Sequence, residues 1–170
     1  MEEIVNKVQQ SGLIQLDLAT FKPTEEQEGI DLASQLWKGL VLKEKEFRTW
    51  IKSHDWQSYQ GKAVYIHCSA DAIVPTWAFV LVGSMLHGIA DTVVVGNKED
   101  LEKELIRKKI DGFDTSAIIN GKIIIKGCSD IPFPEFSMNR LVQRIQPFAT
   151  SIMYGEPCST VPIYKARRKN

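Results

Sequence analysis

The spacing of apolar side chains predicts helices and one short strand in the first third of the chain. Apolar residues recur with helical spacing within residues 2–10, again within 32–37, and again from Phe47 to Ile51. Residues 13–18 alternate between apolar and polar in the way that is typical of a strand. Residues 22–29 are polar and charged, which predicts a loop.

From residue 62 onward the pattern predicts an alternation of strands and helices. β-Branched runs predict four strands, at residues 62–68, 92–96, 122–127 and 151–154. Helical spacing predicts the segments between them to be helices, at residues 73–89, 101–108 and 134–148. A β-α-β-α-β-α-β order over about 62–155 is typical of an α/β fold with a mostly parallel sheet. We therefore expect these four strands in one sheet, covered by helices, with the N-terminal helical and short-strand segment packed on it.

The segment 73–89 stands out because it is apolar on nearly every side. A helix of that kind needs cover all round, so we expect it to be the most buried helix of the protein. Its largely inaccessible side chains should include Ile73, Trp77, Leu81, Met85 and Leu86.

Length and charge limit the organisation of the protein and its partners. A chain of 170 residues is the size of one domain, so we expect a single domain over 1–170. Within it, residues 1–61 would form an N-terminal helical cover, 62–155 the α/β core, and 156–170 a C-terminal loop and basic tail. Lys and Arg number 21, as do Asp and Glu, and this balance gives no attraction toward nucleic acid or an anionic membrane. A homo-oligomer is compatible with this composition.

The N-terminus and the apolar runs bear on localisation. The opening residues MEEIVNKVQQ lack the apolar stretch of a signal peptide. No apolar run approaches the roughly 20 residues that span a bilayer. We therefore expect a cytoplasmic protein without a membrane partner, whose three cysteines are reduced rather than joined in a disulfide framework.

The three cysteines occur in similar Cys-Ser phrases that follow predicted strands. Cys68 and Cys128 come directly after strands, and Cys158 lies four residues beyond another. In a parallel sheet all these positions fall at the carboxyl edge, where open α/β sheets bind their ligands. If the strands share one sheet, the three thiols converge.

Converging thiolates predict a soft metal ion or an iron–sulfur cluster as the cofactor. Zinc normally takes a fourth ligand, and four side chains lie near the cysteines in sequence: His67, Asp71, Asp130 and Glu156. Three cysteines on a four-iron cluster would instead leave one iron open. The chain has no C-x-x-C pair, so the usual zinc-ribbon and ferredoxin spacings are absent.

Two other classes of function remain open at this point. Residues 64–70, V-Y-I-H-C-S-A, are similar to the signature loop of cysteine-dependent tyrosine phosphatases, in which a thiolate lies at a helix N-terminus. Asp71 replaces a glycine of that loop, and Val74 stands where its arginine should be, so phosphatase chemistry is disfavoured. Cys68 as the nucleophile of another thiol enzyme, such as a sulfur transferase, stays open. The third class is a non-catalytic interaction domain with structural cysteines.

The cysteine phrases also carry a family resemblance. The stretches Cys68–Trp77, Lys126–Ser129 and Ser151–Pro162 resemble an uncharacterised bacterial family, the domain of unknown function DUF2480, nearly from end to end. The family has no established activity to transfer to this chain. Its genes often lie near iron–sulfur assembly genes, so the resemblance implies iron–sulfur assembly proteins as partners.

Overall fold

The computed structural model describes residues 12–126, 130–156 and 158–167 and has a mixed α/β fold. Contacts divide the chain into two compact units. We call residues 23–105 the central unit, and residues 1–22 with 106–170 the terminal unit. The expected organisation as one domain over 1–170 stays a prediction.

The described residues form nine strands and four α-helices. The strands are β1 (Leu13–Asp17), β2 (Gln27–Asp31), β3 (Leu36–Trp37), β4 (Val41–Leu42), β5 (Ala63–His67), β6 (Thr92–Val95), β7 (Lys122–Lys126), β8 (Ser151–Glu156) and β9 (Ser159–Lys165). The helices are α1 (Glu44–Ser53), α2 (Thr76–Met85), α3 (Lys98–Asp111) and α4 (Pro134–Ile145). The helix expected within residues 2–10 lies outside the described residues.

The central unit is built on a three-stranded parallel sheet with the order β2-β5-β6. Val64 and Ile66 of the middle strand are fully buried on the side of α1 and α2. The other side of the same strand packs against α3 through Ala63 and Tyr65. A middle strand that is covered on both faces has a nearly continuous apolar sequence, and this run is what predicted β5.

Strand β2 joins this sheet although its sequence, QEGID, has little strand character. Gly29 makes the pairing possible, because a Cβ there would lie 2.5 Å from the Cζ atom of Tyr65 on β5. The phenol ring of Tyr65 therefore takes the space above Gly29. Tertiary packing rather than propensity fixes this strand, and the loop predicted over 22–29 is wrong where β2 begins.

The terminal unit is built on a four-stranded sheet with the order β1-β7-β8-β9. The first three strands are parallel, and β9 returns antiparallel to β8. Ile123, Ile124 and Ile125 of β7 are all buried, as expected of a strand that is covered on both faces. The α/β class and the mostly parallel pairing are thus confirmed.

The prediction of a single sheet is wrong. The segments expected at 62–68 and 92–96 lie in the central sheet, whereas those expected at 122–127 and 151–154 lie in the terminal sheet. Each sheet is completed by a strand from the first third of the chain, β2 in one and β1 in the other. The strand–helix alternation identifies the elements, but it does not say which strands are hydrogen-bonded to each other.

Two smaller elements also differ from expectation. Residues 32–37, expected as helical, form a 3-10 turn and the first strand of the β3–β4 hairpin. The three-residue connection 38–40 passes through Lys38 and Gly39, both with positive φ, and the N–H of Leu40 closes a tight turn by donating to the carbonyl oxygen of Trp37 at 3.1 Å. Strand β9 occupies residues that were expected to be part of the C-terminal loop and basic tail.

The prediction that residues 73–89 form the most buried helix is also wrong, although Leu86 is fully buried as expected. The helix is limited to Thr76–Met85, and its buried side chains are Ala78 and Val82, followed by Leu86. Ile73 is 93% exposed and Trp77 is 37% exposed. The all-round apolarity of α2 therefore does not correspond to cover on all sides.

Candidate functional site

The candidate site lies at the carboxyl edge of the central sheet, where β5 ends and Cys68 begins the connection to α2. Cys68 is a free cysteine, partly exposed, and it packs against the core on the α2 side of the sheet. Its thiol donates to the carbonyl oxygen of Ala70 at 3.6 Å. Helix α2 begins at Thr76, so seven residues of irregular chain separate the cysteine from the helix.

Asp31, the last residue of β2, fixes the backbone directly after Cys68. Register places Asp31 opposite His67 of β5. The Asp31 carboxylate accepts the backbone N–H of Ser69 at 3.0 Å and the Ser69 hydroxyl at 2.5 Å. The same carboxylate accepts the N–H of Ala33 at 2.9 Å. One side chain thus joins the ends of two neighbouring strands and holds the turn that carries the thiol.

The charge of Asp31 is stabilised by these bonds. Burial acts to raise the pKa of the Asp31 carboxyl, but the Ser69 hydroxyl and the N–H groups of Ala33 and Ser69 outweigh it. His67 contributes a further electrostatic stabilisation of the charged form. The pKa of Asp31 therefore lies below that of an ordinary aspartate, and the edge carries a fixed negative charge at neutral pH.

His67 belongs to the opposite face of the sheet from Cys68. Its ring lies against Tyr65, with the centroids 5.2 Å apart, and Tyr65 packs on the α3 side. Alternation along a strand produces this result, because neighbouring side chains point to opposite faces. His67 is therefore not placed beside Cys68 as a shared ligand pair would require.

The third strand of the sheet contributes a helix start to the same edge. The N–H of Gly96, just after β6, donates to the carbonyl of Ile66, and α3 begins at Lys98. Asn97 and Asp100 exchange hydrogen bonds between side chain and backbone N–H at 2.8 and 3.0 Å, which is a capping box. The N–H of Asn97 is thus bonded to the Asp100 carboxylate, and the N–H of Asp100, in the first turn of α3, is bonded to the side-chain amide oxygen of Asn97.

These contacts indicate which charge a ligand at the carboxyl edge of the central sheet should carry. A phosphatase-type loop offers free backbone N–H groups to an anion. Here the N–H of Ser69 is bonded to the Asp31 carboxylate, and the loop continues through the exposed Asp71. A phosphate would meet like charge, so the edge favours a cation or an uncharged group beside the thiol.

The other predicted site residues belong to the terminal unit. Cys158 is free and exposed, in the turn between β8 and β9, and Glu156 is the last residue of β8. Asp130 is exposed, and its carboxylate forms an ion pair with the ammonium group of Lys22, with Nζ and Oδ2 2.5 Å apart. Cys128 lies outside the described residues. Since the cysteines follow strands of two different sheets, their convergence no longer rests on a shared sheet edge and stays a prediction.

Sequence reasoning missed Asp31, the residue that organises the edge. With 22–29 predicted as a loop and 32–37 as a helix, position 31 was not recognised as the end of a strand. The available signal was the Asp-Leu-Ala-Ser stretch, because Asp commonly accepts the N–H group two residues on and so starts a short turn.

The fold and this edge define the class: a mixed α/β protein with a free thiol at the carboxyl edge of a parallel sheet. The chain belongs to the family described as protein of unknown function (DUF2480), whose model matches residues 2–166. Neither the curated proteins nor the solved structures contain a match to it.

Within residues 12–126, 130–156 and 158–167, no group of three or more His, Cys, Asp or Glu side chains is arranged to hold a metal ion. None of the helices in this described part has the length and apolarity needed to cross a membrane.

Proposed function

We propose that this protein handles a soft metal ion or an iron–sulfur cluster through its cysteine thiolates, with Cys68 as the principal ligand. The observation that carries the proposal is the chemistry at the edge of the central sheet. There a free, partly exposed thiol follows a parallel strand, and the adjacent loop is held by the Asp31 carboxylate. A thiol in a locally negative setting suits a thiophilic cation better than it suits an anionic substrate.

Cysteine thiolates are the donors that a soft metal ion or an iron–sulfur cluster prefers. Cys158 is the second free thiol among the described residues and is exposed. Cys128 completes the three cysteines, and iron–sulfur assembly proteins would be the partners. Of the additional ligands considered, Asp71 and Glu156 are exposed and remain in the proposal, with zinc or a cluster as the group bound.

Anaerobic purification followed by an absorption spectrum and elemental analysis tests this function. We expect iron with sulfide, or zinc, in a fixed ratio to the protein, and loss of that metal in Cys68→Ala. Ser58→Ala is the matched control, because it removes an exposed hydroxyl of the central unit outside the loop that carries Cys68 and leaves every thiol in place. Equal metal content in wild type and in Cys68→Ala, Cys128→Ala and Cys158→Ala after anaerobic reconstitution would contradict the proposal.

A second candidate function is nucleophilic chemistry at Cys68, of the sulfur-transfer class. The observation that favours it is the contrast between the two described thiols, since only Cys68 lies in a partly buried loop fixed by a neighbouring strand. The thiolate would attack the outer sulfur of a persulfide R–S–SH. Cys68–S–SH forms, and the S–S bond of the donor breaks to release R–S⁻.

Competitive alkylation with iodoacetamide at neutral pH separates this candidate from inert thiols. A nucleophilic Cys68 is expected to react at least as fast as Cys158, although it is the less exposed thiol; peptide mass spectrometry measures both rates in one sample. Asp31→Asn should change the rate at Cys68 and leave that at Cys158 unchanged. A Cys68 that reacts only slowly, as its burial alone predicts, would favour structural cysteines.

A further inference from the structure

Exposed apolar side chains of the central unit are concentrated on one surface. Six large apolar residues are between 37% and 93% exposed there. Three belong to the β3–β4 hairpin, and three lie on α2 or just before it. We call this surface the hairpin–helix face: Trp37, Leu40, Val41, Ile73, Trp77 and Val80.

Charged side chains at the start of α1 link the two parts of this face. Lys43, just before α1, holds its ammonium group 4.4 Å from the Trp37 ring centroid. Arg48 pairs with Glu44 at 2.8 Å, and its guanidinium lies 5.8 Å from the Trp77 ring centroid. A groove of about 430 Å³ runs between the helices, and its lining includes Glu44, Arg48, Trp77 and Val80.

The core beneath the face is filled mainly by other side chains, although the Trp77 ring also contacts Phe47, with the centroids 5.7 Å apart. The hairpin is anchored by Leu36 and Leu42, and α2 by Ala78 and Val82, all of them buried. The outward residues of the same elements remain apolar. Two tryptophans and an arginine around aliphatic side chains are also the composition of the energetically important centre of a protein interface. Exposed apolar side chains gathered in this way on a folded unit mark an interaction site.

We propose that the hairpin–helix face binds a second copy of this chain in a two-fold symmetric dimer. The argument is charge complementarity. A two-fold interface places a surface against itself, so a surface with charge of one sign would repel its copy. Here both signs are present in pairs, Glu44 with Arg48 and Glu46 with Lys43. These pairs can be exchanged between the two copies.

The net charge of the whole chain also favours self-association. With 21 basic and 21 acidic residues, two copies approach without net repulsion. Lys38, whose ammonium group lies 4.6 Å from the Trp37 ring centroid, adds only one positive charge to the face. A strongly acidic partner or an anionic membrane would be expected to face more unpaired positive charge than this.

Sedimentation velocity over a concentration series tests the dimer. We expect wild type to dimerise below about 100 µM, and Val80→Asp to raise the dissociation constant by about 30-fold or more, as for a residue central to an interface. Val95→Asp is the matched control, since Val95 is 59% exposed, against 63% for Val80, and lies on β6 of the same unit. The control should dimerise like wild type.

A charge exchange tests the face without touching its apolar residues. Glu44→Arg and Arg48→Glu should each weaken self-association about tenfold, because each leaves charge of one sign on both copies. Mixing the two variants should restore dimers, now containing one copy of each. This recovery requires that the two faces meet, and it does not depend on whether Val80→Asp folds.

Several results would overturn the proposal. These are a wild-type chain that stays monomeric up to about 100 µM, a mixture that stays as weak as its components, and a Val95→Asp effect equal to that of a folded Val80→Asp. A monomeric wild type that binds vesicles of anionic lipid through Trp37 and Leu40 would overturn it in favour of a membrane surface.

Discussion

The two units place a Cys-Ser pair after a parallel strand in very different ways. In the central unit, the chain after β5 is tied to the end of β2 by the Asp31 carboxylate, and Cys68 is partly buried. In the terminal unit, β8 is followed by a turn into the antiparallel β9, and Cys158 is exposed in that turn. The same short phrase therefore creates an organised edge in one unit and an open turn in the other.

The units also differ in how they fill their cores. All four tryptophans of the chain lie between residues 37 and 77, in the central unit. Trp50 and Trp56 lie in edge contact there, with ring centroids 5.5 Å apart. The terminal unit relies on aliphatic packing around Ile123 and Ile125 of β7. Tryptophan fluorescence thus reports on the central unit, whereas circular dichroism reports on both units.

The largest expected effect comes from the middle strand of each sheet. Ile66→Ala in the central unit and Ile125→Ala in the terminal unit remove fully buried side chains. Each should lower the free energy of unfolding by about 2–5 kcal/mol, through lost burial and the cavity left behind. Chemical denaturation followed by circular dichroism and by tryptophan fluorescence measures both. A loss under about 1 kcal/mol at either site would show that its sheet is not core.

A smaller effect is expected where β2 meets β5. Gly29→Ala should destabilise the protein by about 1–3 kcal/mol, because its Cβ would enter the space of the Tyr65 ring. Gly83→Ala in α2 is the paired control. A Cβ at that position meets only Ile66 Cδ1, at 3.9 Å, and alanine stabilises a helix interior by up to about 1 kcal/mol. Thermal unfolding of both variants checks the opposite signs; a neutral Gly29→Ala would contradict the packing of Tyr65 on β2.

The smallest effect concerns the edge itself and depends on pH. Asp31→Asn should cost about 1 kcal/mol at neutral pH, since the amide replaces only part of the hydrogen bonding to Ser69 and Ala33. The pKa of Asp31 is lower in the folded state than in the unfolded chain. Its contribution is therefore complete above about pH 4 and is lost as pH falls through the folded pKa.

Denaturation at several pH values checks that sign. The gap in unfolding free energy between wild type and Asp31→Asn should close below about pH 4. Asp71→Asn, at an exposed position of the same loop, is the control and should show little change at any pH. A gap that widens in acid would mean that Asp31 is not stabilised as a carboxylate.

The local pattern of side chains predicted the helices and strands better than it predicted which strands pair with each other. The amphipathic helices α1 and α4 and the apolar strands β5 and β7 follow from side-chain spacing, which is a local property. Strand β2 could not be predicted in this way, because its pairing depends on Gly29 and Tyr65, which are far apart in sequence. The division into two sheets likewise depends on contacts across the chain.

The candidate site shows the same limit. Position after a strand was enough to select Cys68, but nearness in sequence also selected His67, whose ring lies on the other face against Tyr65. Asp31 was missed because its role depends on the register of β2 with β5. The exposure of Ile73 and Trp77 was missed because an apolar sequence favours burial but does not say whether the same chain supplies the covering surface.

Helix α3 has a consequence for any attempt to divide this protein. The boundary between the units falls inside it, between Leu105 and Ile106. Leu101 and Leu105 belong to the core of one unit, whereas Ile106 and Ile110 belong to that of the other. A cut at the boundary would leave two helical stubs, each well below the roughly 12–15 residues at which an isolated helix becomes even marginally stable. Neither unit is therefore a transferable module, and a protease that opens this helix should destabilise both.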